Sequence, residues 1–197
     1  MMNKLDVLGL LQEHGAIEEG HFRLPSGLHS PIFIQTASVM QYPYIAQRIA
    51  RAMSARFPSP VDVVLAPAVG GVVAGQEIAR LRRCRSIFAE RVNGEMLLRR
   101  EFKITPGERV LVVEDVLATG HLAGAVVELV RAYGGKVVGI AAILDRSTAA
   151  LPLGVPVRAL VTYPVQVMPP DTCELCARRV PFSRRGALDI LDDLGTP

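Results

Sequence analysis

The chain has 197 residues, half of them hydrophobic, and a formal net charge of +3. That length and apolar content allow one packed domain with a sizeable core and exclude a disordered chain, while so small a basic surplus implies no strong polyanion partner. No secretion signal is visible over residues 1–9, and the longest apolar run, 137–144, is far too short to cross a bilayer, so a soluble cytoplasmic protein is expected.

Leu5, Leu8 and Leu11 recur at helical spacing, which predicts a helix over 3–14 with Gly15 as its stop. Residues 20–34 read as strand, turn and strand, with Pro25-Ser26-Gly27 in the turn and Phe33 and Ile34 closing the second strand. Pro43 opens a helix predicted to about 56, with Ile45, Ile49 and Met53 on one face. The apolar strand 61–67 runs into Ala68-Val69-Gly70-Gly71, a small-residue turn whose backbone amides suit a diphosphate, and a helix follows over 72–82. After a short strand at 86–90, residues 91–103 read as a hairpin with Asn93-Gly94 at its tip. That hairpin is expected to hold four cations close together: Arg91, Arg99, Arg100 and Lys103.

Residues 110–120 are the stretch around which the rest is arranged. Val110-Leu111-Val112-Val113 has apolar side chains for both faces and reads as a buried central strand, expected to stop at the adjacent carboxylates of Glu114 and Asp115. Val116, Leu117, Ala118, Thr119 and Gly120 form a short loop, and a helical pattern runs over 121–133. The C-terminal end of such a strand is where an open α/β sheet binds ligands. Free amides at the start of the helix, near His121 and Leu122, suit a phosphate, and Gly120 lets the backbone approach it. The carboxylates suit sugar hydroxyls, or a hydrated magnesium ion shared with the ligand. A site with both halves takes a phosphorylated sugar.

Residues 136–144 are another buried strand, ending at Asp145-Arg146, and 157–163 are the last. Strands alternating with helices over 61–163 predict a mostly parallel sheet with helices on both faces. Residues 1–40 would form a helix and a small hood over the sheet's C-terminal edge, and 164–197 a tail, with no second domain. The tail carries a basic group, Arg178, Arg179, Arg184 and Arg185, read as solvated surface. The three cysteines are Cys84, Cys173 and Cys176. An odd count without a secretion signal argues for reduced thiols. Cys173 and Cys176 form a C-x-x-C, but a closed zinc site needs four ligands and no second C-x-x-C or histidine pair is visible in the sequence. The pair is therefore read as metal-free, with a zinc shared across a dimer or a redox couple as alternatives.

The strand, the two acids and the Thr119-Gly120 ending resemble the phosphoribosyl-diphosphate (PRPP) loop of the type I phosphoribosyltransferases. Phe22-x-Leu24-x-Ser26-Gly27-x-His29-Ser30-Pro31-x-Phe33 is similar to the N-terminal segment of the bacterial orotate phosphoribosyltransferases, and the proline-rich C-x-x-C tail occurs in some of them. The resemblance implies magnesium-dependent transfer of ribose 5-phosphate from PRPP to N1 of orotate, a pentosyl transfer of de novo pyrimidine (UMP) synthesis. It implies PRPP binding by residues 114–122 with Gly70 and Gly71. Orotate contacts are implied for Arg146, Ala118, Phe33 and Ile34. Catalytic roles are implied for Asp115 and for the hairpin cations, in a homodimer that shares the hairpin across its interface. The family's orotate-contacting threonine is Ala118 here, and the lysines common in the hood turn and diphosphate turn are missing. A purine phosphoribosyltransferase, or a PRPP-responsive regulator that binds nucleic acid, are the competing readings. The hood motif, Arg146 and the small net charge speak against them.

Overall fold

The computed structural model describes residues 5–183. A short helix, α1 (Val7–Glu13), is capped by Asp6, whose carboxylate accepts from the Gly9 amide at 2.9 Å. It leads into an antiparallel hairpin of β1 (Ile17–Arg23) and β2 (His29–Ile34). Two helices follow, α2 (Ala37–Met40) and α3 (Pro43–Ala55), the second opened by its proline as predicted. The four-residue α2 had no sequence signal, being shorter than one amphipathic repeat.

The core is a six-stranded sheet in the order β5-β4-β3-β6-β7-β8. Its members are β3 (Val63–Pro67), β4 (Arg85–Val92), β5 (Glu95–Leu98), β6 (Arg109–Leu117), β7 (Lys136–Asp145) and β8 (Val157–Thr162). All pairings are parallel except β4 with β5, which form the hairpin read from Asn93-Gly94. Both tip residues have positive φ, 52° and 88°, as a tight turn of that kind requires. α4 (Val72–Arg82) joins β3 to β4, and α5 (His121–Ala132) joins β6 to β7.

The sheet divides two apolar clusters. On one face Val64, Leu111, Val113, Ala141 and Ile143 pack beneath α1, α3 and α4. On the other, Val63, Leu65, Val110, Val112, Ile140 and Ala142 pack beneath Ala123, Val126, Val127 and Val130 of α5. Val110 to Val113 are therefore buried from both sides, and β6 is central, as the continuous apolar run demanded. The strand does not stop at the carboxylates: β6 continues through Glu114 and Asp115 to Leu117, because Val116 and Leu117 still pair with Leu144 and Asp145 of β7.

Beyond β8 the tail folds back onto the hood. His29 and Met168 exchange two backbone hydrogen bonds of 2.8 Å each. A 3₁₀ turn (Pro170–Thr172) and the short α6 (Glu174–Ala177) carry the C-x-x-C pair. Arg184 and Arg185 of the basic group lie outside the described residues.

Candidate active site

β3 and β6 are neighbours, so the turn after β3 and the loop after β6 emerge side by side at the sheet's C-terminal edge. Between them stand Glu114 and Asp115. Glu114 is 3% exposed, and its carboxyl is pushed up to about 8, first by burial and then by the charge of Asp115. Asp115 is half-buried, and its Oδ2 accepts a 2.7 Å hydrogen bond from the Thr36 hydroxyl. Thr36 is 1% exposed and lies two residues beyond β2, so the hood positions one acid directly. Sequence reasoning missed Thr36; the available signal was a lone hydroxyl directly after an apolar strand.

The glycine pair in the β3–α4 turn is required by close approach. A Cβ on Gly70 would fall 2.5 Å from the Asp115 carboxylate, and one on Gly71 would fall 2.5 Å from the Val113 carbonyl oxygen. The turn is thus pressed against the acid pair, and any side chain there would displace it. On the other side, Gly120 begins α5 with φ of 76° and no side chain caps the helix. The His121 amide makes only a long, 3.5 Å hydrogen bond to the Thr119 hydroxyl, and the next amides of the turn remain available to an anion. The Thr119 hydroxyl lies 3.3 Å from Nδ1 of His121, at the mouth of this loop.

Arg146 follows β7, and its amide donates to the Leu117 carbonyl at 2.8 Å, which fixes it beside the loop. Its guanidinium makes no ion pair or hydrogen bond among the described residues, and burial lowers its pKa from the ordinary arginine value. The neighbouring Asp145 carboxylate instead accepts from the Ser147 amide. A half-buried, unpaired guanidinium beside a phosphate-type loop wants an anionic partner. Phe33 lies within the hood against Phe22, ring centroids 5.4 Å apart, and Ile34 packs on the core cluster beneath α1 and α3.

No two of the four cations are paired across the β4–β5 strands. Arg91 sits opposite Met96, so no like charges face each other across the strands. Arg100 turns back to Glu90, 3.1 Å away, and lies over the Phe88 ring. The Lys103 carbonyl accepts from Arg85, the first residue of β4, which sets Lys103 towards the edge of the sheet opposite the acids. The hairpin ends at Leu98, and residues 99–103, which the sequence reading counted as part of it, lie beyond its second strand. Among the described residues, the side chains of Arg91, Arg99 and Lys103 have no ion-pair partner.

The phosphoribosyl transferase domain family matches residues 35–163. An orotate phosphoribosyltransferase of Caldicellulosiruptor saccharolyticus is 44% identical over 190 residues, 96% of this chain and 100% of that protein. The solved orotate phosphoribosyltransferase of Aeropyrum pernix superposes with a TM-score of 0.67 at 21% identity, over 79% of this chain and 93% of that one. An adenine phosphoribosyltransferase from Thermoanaerobacter pseudethanolicus superposes with a TM-score of 0.64 at 19% identity, over 78% of this chain and 99% of that one. Backbone likeness at such identities speaks for the fold and does not separate the bases; the near full-length sequence identity is what does.

Proposed function

This chain belongs to the phosphoribosyltransferase family, in its orotate branch, and from that premise we propose that it transfers ribose 5-phosphate from PRPP to N1 of orotate, releasing diphosphate. What carries the reading is the Glu114–Asp115 pair between two small-residue turns. In this arrangement the carboxyl groups hold the ribose 2′- and 3′-hydroxyls. The amides from Ala118 to Leu122 and the Thr119 hydroxyl hold the 5′-phosphate, and the turn at Gly70 and Gly71 holds the diphosphate.

Diphosphate leaves the anomeric carbon through an oxocarbenium-like state, so negative charge builds on the leaving group. Glu114 and Asp115 offer only hard oxygen donors, and burial already makes a second negative charge there unfavourable, so the pair fits a cation arriving with the substrate. Magnesium carried on the diphosphate would neutralise the leaving group's developing charge. Orotate attacks as its anion and needs no strong general base. Arg146 holds its carboxylate with two-point geometry, beside Ala118 and below the hood strand of Phe33 and Ile34. Arg91 in the β4–β5 hairpin and Arg99 just after it supply cations, and the hairpin closes over the reacting centre to exclude water. The protein works as a cytoplasmic homodimer that shares this hairpin between subunits, with small molecules and no nucleic acid or membrane as partners. No helix among the described residues is long and apolar enough to cross a membrane.

A panel of orotate, uracil, adenine, guanine and hypoxanthine, each with PRPP and magnesium, tests the reading. Product from orotate alone is expected. Turnover of a purine in place of orotate would give the protein to the purine branch. PRPP binding without turnover of any base would make it a regulator.

A further inference from the structure

One cluster of reactive side chains has no part in the transfer site. His21 in β1, His29 at the start of β2, and Cys173 and Cys176 around α6 converge, with one ligand atom from each within 4.8 Å of all the others. His21, His29 and Cys173 are all less than 5% exposed. The sequence reading found no partner for the C-x-x-C because His21 lies 152 residues before Cys173, His29 lies 147 before Cys176, and the histidines are eight residues from each other. The β1–β2 pairing sets Arg23 opposite His29 and so places His21 on the neighbouring diagonal, and the returning tail brings the cysteines to both.

The proton count at His21 shows what the cluster lacks. Its Nδ1 lies 2.8 Å from the Val180 carbonyl, which can only accept, so Nδ1 carries the hydrogen and Nε2 presents a bare lone pair. Around that lone pair stand His29 Nδ1 at 3.2 Å, Cys173 Sγ at 3.5 Å and Cys176 Sγ at 3.7 Å. One lone pair cannot accept from three donors. A cation at the centre satisfies all four groups together. The edge lengths agree with that. Metal bonds of about 2.3 Å to sulfur and 2.0 Å to nitrogen at tetrahedral angles give S···N edges of roughly 3.5 Å and an N···N edge of roughly 3.3 Å. Three of the four S···N separations are 3.5, 3.7 and 3.3 Å, the last between Cys176 and His29, and every edge of the four-atom set is within 4.8 Å.

We propose that His21 Nε2, His29 Nδ1, Cys173 Sγ and Cys176 Sγ form a closed tetrahedral zinc site that fastens the tail to the hood. Two imidazoles with two thiols are a donor set that zinc prefers, and reduced thiols are available to it. The Val180 carbonyl fixes the His21 tautomer, as an outer partner of a metal-bound histidine does. Phe182 covers the site, its ring centroid 4.2 Å from that of His21 and 5.0 Å from that of His29. All four positions are taken by protein, so the ion is structural: the two thiols release their protons to water on binding, and no position remains for substrate. Its effect is mechanical. A two-stranded hairpin is marginal alone, and this one holds Thr36 against Asp115. The proposal does not depend on which base the enzyme uses.

The test uses the full chain without a polyhistidine tag, freed of metal by a chelator under reducing conditions and then titrated with zinc alone and with cobalt(II) alone. About one zinc per chain is expected, with two protons released per zinc, and the cobalt form should show tetrahedral ligand-field and thiolate charge-transfer absorption. Cys173→Ser/Cys176→Ser should lose the zinc and the charge-transfer band. If that variant does not fold, the wild-type spectrum still decides. Absence of thiolate charge transfer, zinc binding below one equivalent, or a Cys173–Cys176 disulfide in the protein isolated without reductant would each overturn the proposal.

Discussion

Two side chains carry the electrostatics of the site. Glu114 holds its proton far above the ordinary carboxyl range because it is buried beside Asp115. The sign follows from which state binds the proton more tightly, here the folded one. Its contribution to stability is fully present below pH about 4.5 and is lost as the pH rises through about 8. The melting temperature of the ligand-free chain should fall across that window, and Glu114→Gln should flatten the fall. Parallel profiles for the two proteins would contradict this account. Arg146 is the reverse case, a charge kept without a partner. Arg146→Ala should weaken orotate by roughly ten- to a hundredfold, the loss of a charge-assisted contact of about 1.5–3 kcal/mol, and leave PRPP affinity nearly unchanged. Titration of orotate into protein loaded with a non-reactive PRPP analogue measures this, and an unaltered orotate affinity would remove Arg146 from the base site.

Among the elements, the β3–α4 turn is tightly constrained. Gly71→Ala would drive a methyl group into the backbone of β6, which cannot yield as a side-chain tip can. A loss of about 1–3 kcal/mol in denaturant unfolding is expected, with PRPP binding reduced further because the turn is displaced from Asp115. Wild-type stability would mean that the turn moves freely. This turn was legible in the sequence, since small residues after an apolar strand leave few other readings. So were α3, α4 and α5, whose apolar periodicity runs for three turns or more, and the β4–β5 hairpin through Asn93-Gly94. Other features were not. The extension of β6 past its carboxylates depends on the neighbouring β7, and the convergence of His21 and His29 with the C-x-x-C depends on a tail that pairs with the hood across the whole chain. Local propensity carries no information about either pairing. The pairing of the arginines in residues 91–103 was not legible for a related reason: composition showed the charges, but only the structure shows Arg91 opposite Met96 and Arg100 against Glu90.

At the scale of the whole molecule, a shared hairpin has a consequence that a mixed oligomer exposes. Asp115→Asn should reduce turnover at least about tenfold, or about 1.4 kcal/mol of barrier. Arg91→Ala/Arg99→Ala, two arginines of residues 91–103 without a described partner, should do likewise if the hairpin closes on a site. In a heterodimer of the two variants with hairpins acting across the interface, one site holds both defects and the other holds none. Activity should then recover towards about half of wild type. If each hairpin serves its own subunit, every site keeps one defect and nothing recovers. A protein that stays monomeric in solution excludes sharing altogether.

The proposed phosphosugar end of the site is built from one pair of adjacent connections, β3–α4 and β6–α5, whereas the proposed base end draws on the N-terminal hairpin and on Arg146. These are separable inheritances. Mutation can rework the hood and the residue after β7 while the donor-substrate end, with its two glycines and its acid pair, stays under unchanged selection. A lineage built this way can diversify by exchanging acceptors around a fixed donor.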